Sequence, residues 1–126
     1  MPKRIQDRRS SKRHPIPDKA NAGVEVEMSD GKRRRLRLVN LSVNDLCFEV
    51  PQGAFELRTG TDLANALVQI GKLQIECHLT VTRTWRQFDG SHHCGARLYP
   101  KSESDQNELV SLIAAFDALQ LNLSAD

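Results

Sequence analysis

The chain has 126 residues, 39% hydrophobic and 27% charged, which suits a single domain whose modest core needs neither disulfides nor metal. No apolar run reaches the roughly 18 residues of a membrane helix, and the charged start lacks the apolar stretch of a secretory signal, so a cytoplasmic protein is expected. The net charge of +2 hides an asymmetry: residues 1–37 hold twelve Lys or Arg against five Asp or Glu, while the remainder is mildly acidic, which points to an anionic partner at one place on the surface.

Residues 1–21 show no hydrophobic periodicity and are dense in charge, with Pro15 and Pro17 favouring extended backbone before them. They read as a flexible basic arm, followed by a folded unit over 22–126. Val24, Val26 and Met28 alternate with Glu25 and Glu27, the pattern of a half-buried strand. Ser29-Asp30-Gly31-Lys32 predicts a hairpin turn into a second strand through Leu36 and Leu38. A polar turn at Asn40–Asp45 follows, then a third strand through Leu46, Phe48 and Val50. Leu63 to Ile70 is a weaker strand. Ile75, Cys77, Leu79 and Val81 share one face of a strong fifth strand that extends to Trp85 or beyond. Asp89-Gly90-Ser91 predicts a turn, and His93 to Tyr99 a sixth strand. After Pro100, Ser104 or Asp105 can cap a helix over 102–121, with Leu109, Leu112, Ile113, Phe116 and Leu119 at helical spacing. Six short antiparallel strands and one amphipathic helix predict a mainly β protein, a small closed or nearly closed barrel.

Two segments carry candidate chemistry. Arg8-Arg9-Ser10-Ser11-Lys12-Arg13 places guanidinium forks on the arm, suited to phosphate and to stacking on bases. It equally fits a solvated basic tail. Asn40-Leu41-Ser42-Val43-Asn44-Asp45 offers short side chains suited to a base edge or a phosphate, and equally to an Asx-type turn.

In this order, the first ahead of six strands and the second at the turn after the second of them, the two segments resemble the PilZ family of bacterial cyclic di-GMP receptors. Arg9 and Arg13 match that family's RxxxR, with Arg8 as an extra arginine. Asn40 and Ser42 match its (D/N)xSxxG, and Gly95-Ala96-Arg97-Leu98 resembles its last strand. The resemblance implies a six-stranded barrel with a C-terminal helix and a cyclic di-GMP ligand. It also implies a site at Arg8, Arg9, Arg13, Asn40, Ser42 and Asp45, signalling to a protein partner whose identity the sequence does not give, in motility, pilus, biofilm or virulence regulation. Asp45 stands where the motif has Gly. Aspartate tolerates the left-handed backbone better than most residues, but its carboxylate brings negative charge to a phosphate site.

Arg83 and Trp85 share the parity of Leu79 and Val81. Either can stack on a guanine near the barrel rim, or Trp85 can plug the core with Arg83 solvated. Lys32-Arg33-Arg34-Arg35 is a second basic run, suited to nucleic acid or a membrane surface or to a solvated hairpin end. His92-His93-Cys94 and Cys77-His78 invite a zinc reading, but adjacent residues on a strand point to opposite faces, so no metal is expected. The three cysteines are odd in number, without CxxC, and read as small core residues. With no nucleophile–base pair and no Gly-rich phosphate loop, no enzyme and no cofactor beyond the ligand are expected. Two alternatives stay open. One is a PilZ-like interaction module that has lost the nucleotide. The other is a small basic nucleic-acid-binding barrel, against which the scarcity of aromatics weighs.

Overall fold

The computed structural model describes residues 13–17, 20–28, 30–54 and 57–125, with side chains to Phe116. Arg8 and Arg9 lie outside the described residues. In chain order the elements are β1 (His14–Pro15), β2 (Ala22–Glu27), β3 (Arg33–Leu41), β4 (Asp45–Val50), β5 (Asp62–Ile70), β6 (Leu73–Arg86), β7 (His92–Pro100) and α1 (Glu103–Ala125). The pairing runs β3-β2-β5-β6-β7-β4 and returns from β4 to β3, every pair antiparallel. Closure gives each strand two neighbours, so none of the six leaves a row of unpaired amides.

The period-2 alternation fills the interior as the sequence predicts. Val24, Val26, Leu36, Leu38, Leu46, Phe48, Val50, Val68, Ile75, Leu79 and Val81 are all buried in one cluster. The β2–β3 hairpin closes where Gly31 takes φ 84°, and Met28 N–H donates to the Lys32 carbonyl at 2.8 Å. Glycine adopts that left-handed backbone without the steric cost a side chain brings.

Four local features differ from the sequence reading. Residues next to Arg13 are part of the packed body: His14 and Pro15 pair with Leu41 and Asn40, and Ile16 joins the core. Periodicity could not announce this, because a two-residue strand has no period. Asn40 and Leu41 belong to β3, so the turn itself is only Ser42–Asn44. The third difference concerns Trp85. The register between β6 and β7 slips between Val81 and Arg83, so that Thr84 faces Cys94 while Arg83 and Trp85 pair with Gly95 and His93. The slip reverses the parity of everything after it. Arg83 and Trp85 therefore stand on the outer face, not on the face of Leu79 and Val81.

The fourth difference is the helix cap. Ser102, not Ser104 or Asp105, takes that role: its Oγ accepts the Asp105 N–H at 3.0 Å. Asp105 Oδ1 in turn accepts the Glu76 N–H at 3.0 Å, which fastens the start of α1 to β6. Leu109 and Ile113 sink into the core, with Leu112 and Phe116 packed at its margin. The Phe116 ring lies 5.6 Å from His14, so the helix touches the segment that follows Arg13.

Candidate functional site

The β3–β4 turn is built around one hydroxyl. Ser42 Oγ accepts the N–H groups of Asn44 and Asp45 at 3.1 and 3.0 Å and donates to Asp45 Oδ1 at 2.8 Å. Ser42 is buried, and its hydroxyl is engaged within the turn. Asp45 starts β4 in ordinary extended backbone, since no non-glycine residue among those described has a positive φ. The position therefore does not demand the conformational freedom of the motif's glycine. Asp45 Oδ2 lies 3.2 Å from Arg13 Nη2, joining the arm to the turn.

Asn40 sits beside this turn. β1 pairs it with Pro15 and β4 with Cys47, after a bulge between Leu38 and Asn40. Its Oδ1 is buried and has no hydrogen-bond partner among the described residues. An orphaned buried acceptor costs about 1–3 kcal/mol, which a bound donor can recover.

From Asn40 the outer face continues across β4, β7 and β6. Cys47 alternates with the core residues Leu46 and Phe48 and so faces outward, yet it is buried. What surrounds it is cationic. Burial pushes its thiol up to about 11, against the opposing pull of Arg13, Arg37 and Arg83. Three guanidinium groups, from the arm, β3 and β6, thus lower the thiol at this one strand position against the effect of burial. Next to Cys47 in register is Gly95, where an added Cβ would meet nothing nearer than 3.9 Å, at Thr82 Oγ1 and Trp85 Cζ3. The glycine leaves an open floor beside the indole. The Arg83 guanidinium carbon lies 4.7 Å from the Trp85 ring centroid, a cation–π contact that forms one flat platform.

The structure thus brings Arg13, Asn40, Ser42 and Asp45 to one end of β3 and β4, with Arg83 and Trp85 across the same outer face. Sequence reasoning missed Arg37, Cys47 and Gly95 as members of this surface. Their parity on β3, β4 and β7 was available, but the bulges at Leu38/Asn40 and Val81/Arg83 were needed to see which faces meet. In the Lys32–Arg35 run, two arginines hold partners on the neighbouring strands. Arg33 Nε donates to Glu25 at 2.9 Å, and Arg35 Nε to Gln69 at 3.0 Å, so this run is laced into the β2–β3–β5 surface. His78 points to Asp62 at 3.3 Å and to the Tyr99 ring, and no group of three or more metal-binding side chains gathers among the described residues.

The sequence matches no protein-family model and no curated protein sequence. Solved structures do match in fold. Escherichia coli YcgR in complex with c-di-GMP aligns at TM-score 0.75 and 17% identity, over 94% of this chain and 50% of that one. The PilZ domain of E. coli YcgR with c-di-GMP aligns at TM-score 0.72 and 16% identity, over 94% of this chain and 98% of the domain. K. pneumonia MrkH in its apo state gives 0.76 and 11%, over 88% and 50%. The fold of this chain is PilZ-like. It spans about half the length of full YcgR and MrkH. No helix among the described residues is long and apolar enough to cross a membrane.

Proposed function

We propose that the chain is a cyclic di-GMP receptor that takes the dinucleotide on the outer face of β3, β4, β7 and β6, beneath the N-terminal arm. The observation that carries this reading is the buried Asn40 Oδ1, without a hydrogen-bond partner among the described residues, on the outer face that also holds Arg13 beside Asp45 and Arg83 stacked on Trp85. Guanidinium groups suit the two phosphodiesters, and Asn40 suits a guanine edge. Ser42 shapes the turn that holds Asn40 and Asp45 in place, and the Arg83–Trp85 platform receives a base by stacking. Arg8 and Arg9, by their match to the RxxxR pattern, would add further guanidinium groups to the ligand's phosphates. Two of the aligned solved structures, of YcgR, hold c-di-GMP, which supports the choice of ligand.

The output is the arm itself. Its anchor, His14, packs on Phe116 of α1, so fixing Arg13 on a ligand is felt at the helix, where a protein partner can read it. Calorimetric titration with cyclic di-GMP tests the reading: binding at micromolar concentration, lost in Arg13→Ala and reduced in Trp85→Ala, is the expected result. No binding at tens of micromolar overturns it.

A second reading is favoured by one contact. Arg13 is already paired with Asp45, as it would be in a barrel that has given up the nucleotide and binds protein alone. Asp45→Gly decides: binding that appears only in the variant supports this second reading.

A further inference from the structure

We propose that His93 is the positioning residue of the Trp85 platform and that its protonation tunes ligand affinity, an inference that rests on the cyclic di-GMP reading above. His93 on β7 is the cross-strand partner of Trp85 on β6 and of Glu49 on β4. Its ring meets the indole edge to face, with centroids 5.7 Å apart and planes at 69°. On its other side His93 Nε2 lies 3.9 Å from Glu49 Oε2, and Glu49 Oε1 is held by Arg37 Nε at 3.1 Å. The imidazole is therefore wedged between a fixed carboxylate and the indole, with its side chain only 17% exposed.

This wedge has a structural reason. The bulge after Val81 turns Trp85 outward, away from the core packing that fixes Leu79 and Val81. The neighbouring outward position on β7 is Gly95, which has no side chain to stop the indole from swinging. His93 supplies the stop. Edge-to-face packing is a preferred aromatic geometry, and it leaves Arg83 stacked on the ring.

A histidine also gains charge within the physiological range. Around His93 the charged groups are Glu49 from β4, Asp89 from the β6–β7 turn, Arg83 from β6 and Arg37 from β3 behind Glu49. An anionic ligand on the platform favours the imidazolium, so binding takes up a proton. Affinity then rises as pH falls through the histidine range.

The chain's single tryptophan gives a readout that needs no ligand. An imidazolium in contact with indole quenches its emission. Native protein should lose Trp85 fluorescence in one step as pH falls from about 8 to about 5.5, and His93→Gln and His93→Phe should lack the step. In calorimetry, native affinity for cyclic di-GMP should tighten roughly threefold to tenfold over that interval, from one added charge near the ligand. His93→Phe, which keeps an aromatic edge, should retain the native affinity at about pH 8 but stay flat with pH. His93→Ala should bind more weakly throughout.

A fluorescence step that is missing in the native chain, or that survives in His93→Gln, overturns the contact. Native binding whose pH profile is unchanged in His93→Phe overturns the tuning, and His93→Ala binding as tightly as native at about pH 8 overturns the positioning. If no variant binds cyclic di-GMP while the fluorescence step behaves as stated, the ligand reading fails and with it the tuning, and the His93–Trp85 contact is supported.

Discussion

Arg13 and Asp45, 32 residues apart in sequence, meet at 3.2 Å between Nη2 and Oδ2, and the carboxylate's other oxygen accepts the Ser42 hydroxyl at 2.8 Å. Asp45 thus stands toward the arm as an anion already in place. A ligand phosphate that recruits Arg13 must displace it. The pair is partly exposed, at 57% and 26% of the two side chains, so its strength belongs with surface ion pairs, about 0.2–1 kcal/mol.

Asp45→Asn should therefore tighten cyclic di-GMP binding by roughly two- to fivefold, the competition removed and the negative charge gone. The amide oxygen can still accept from Ser42, so the turn persists. Calorimetry at low and high salt checks the account. The advantage of the variant should shrink as salt rises, because screening weakens the native pair too. A variant that binds no better than native at low salt contradicts the competition.

Asn40→Ala should separate binding from stability. Its Oδ1 is a buried acceptor without a partner among the described residues, so its removal leaves thermal stability unchanged or slightly higher. Ligand affinity should fall by roughly one to two orders of magnitude, the loss of a base-edge contact worth about 1–3 kcal/mol. Parallel melting and titration curves measure both. A large drop in melting temperature would mean that Asn40 supports the bulge rather than a ligand.

How much of this was readable beforehand follows from what periodicity can carry. The barrel was legible because Val24, Leu38, Phe48 and Leu79 sit at alternating positions in strands bounded by turn residues, and the helix because Leu109, Ile113 and Phe116 repeat at 3.6. The placement of Trp85 was not legible. It depends on a one-residue register slip against β7, and such a slip leaves no mark on composition. Ile16 was hidden for a related reason: its burial comes from a two-residue pairing with the far end of β3, a contact between distant segments. At the site, the residue types at Arg13, Asn40 and Asp45 were visible, whereas the Arg13–Asp45 bridge and the outward Cys47 needed the fold.

The helix cap gives a prediction independent of any ligand. Ser102 Oγ accepts the Asp105 N–H and donates to Asp105 Oδ2 at 2.6 Å, while Asp105 Oδ1 holds β6. Ser102→Ala should cost about 1 kcal/mol, the usual loss at an N-cap, seen as a lower denaturation midpoint with an unchanged denaturant slope. Asp105→Ala should cost more, since it also strands the Glu76 N–H. Equal losses in the two variants would show that the link to β6 adds nothing.

The thiols set the last prediction. Burial raises Cys77 to about 12 and Cys47 and Cys94 to about 11, against an ordinary value of 9.0. The nucleophile is the thiolate, so all three should resist a disulfide reagent in the native protein near pH 8 and react fully once it is unfolded. The sign of the linkage follows. An acid whose folded pKa is raised holds its proton better in the native state, so the contribution is complete below pH 9, the unfolded value, and is lost as pH climbs through about 11 to 12. Denaturation midpoints should fall across that alkaline window. Cys77→Ala should flatten the fall more than Cys47→Ala, because Cys47 already has Arg13, Arg37 and Arg83 drawing its thiol down. Cyclic di-GMP bound to those arginines would remove part of that pull, so ligand should make Cys47 less reactive still; faster labelling of Cys47 in its presence would contradict the placement of the ligand.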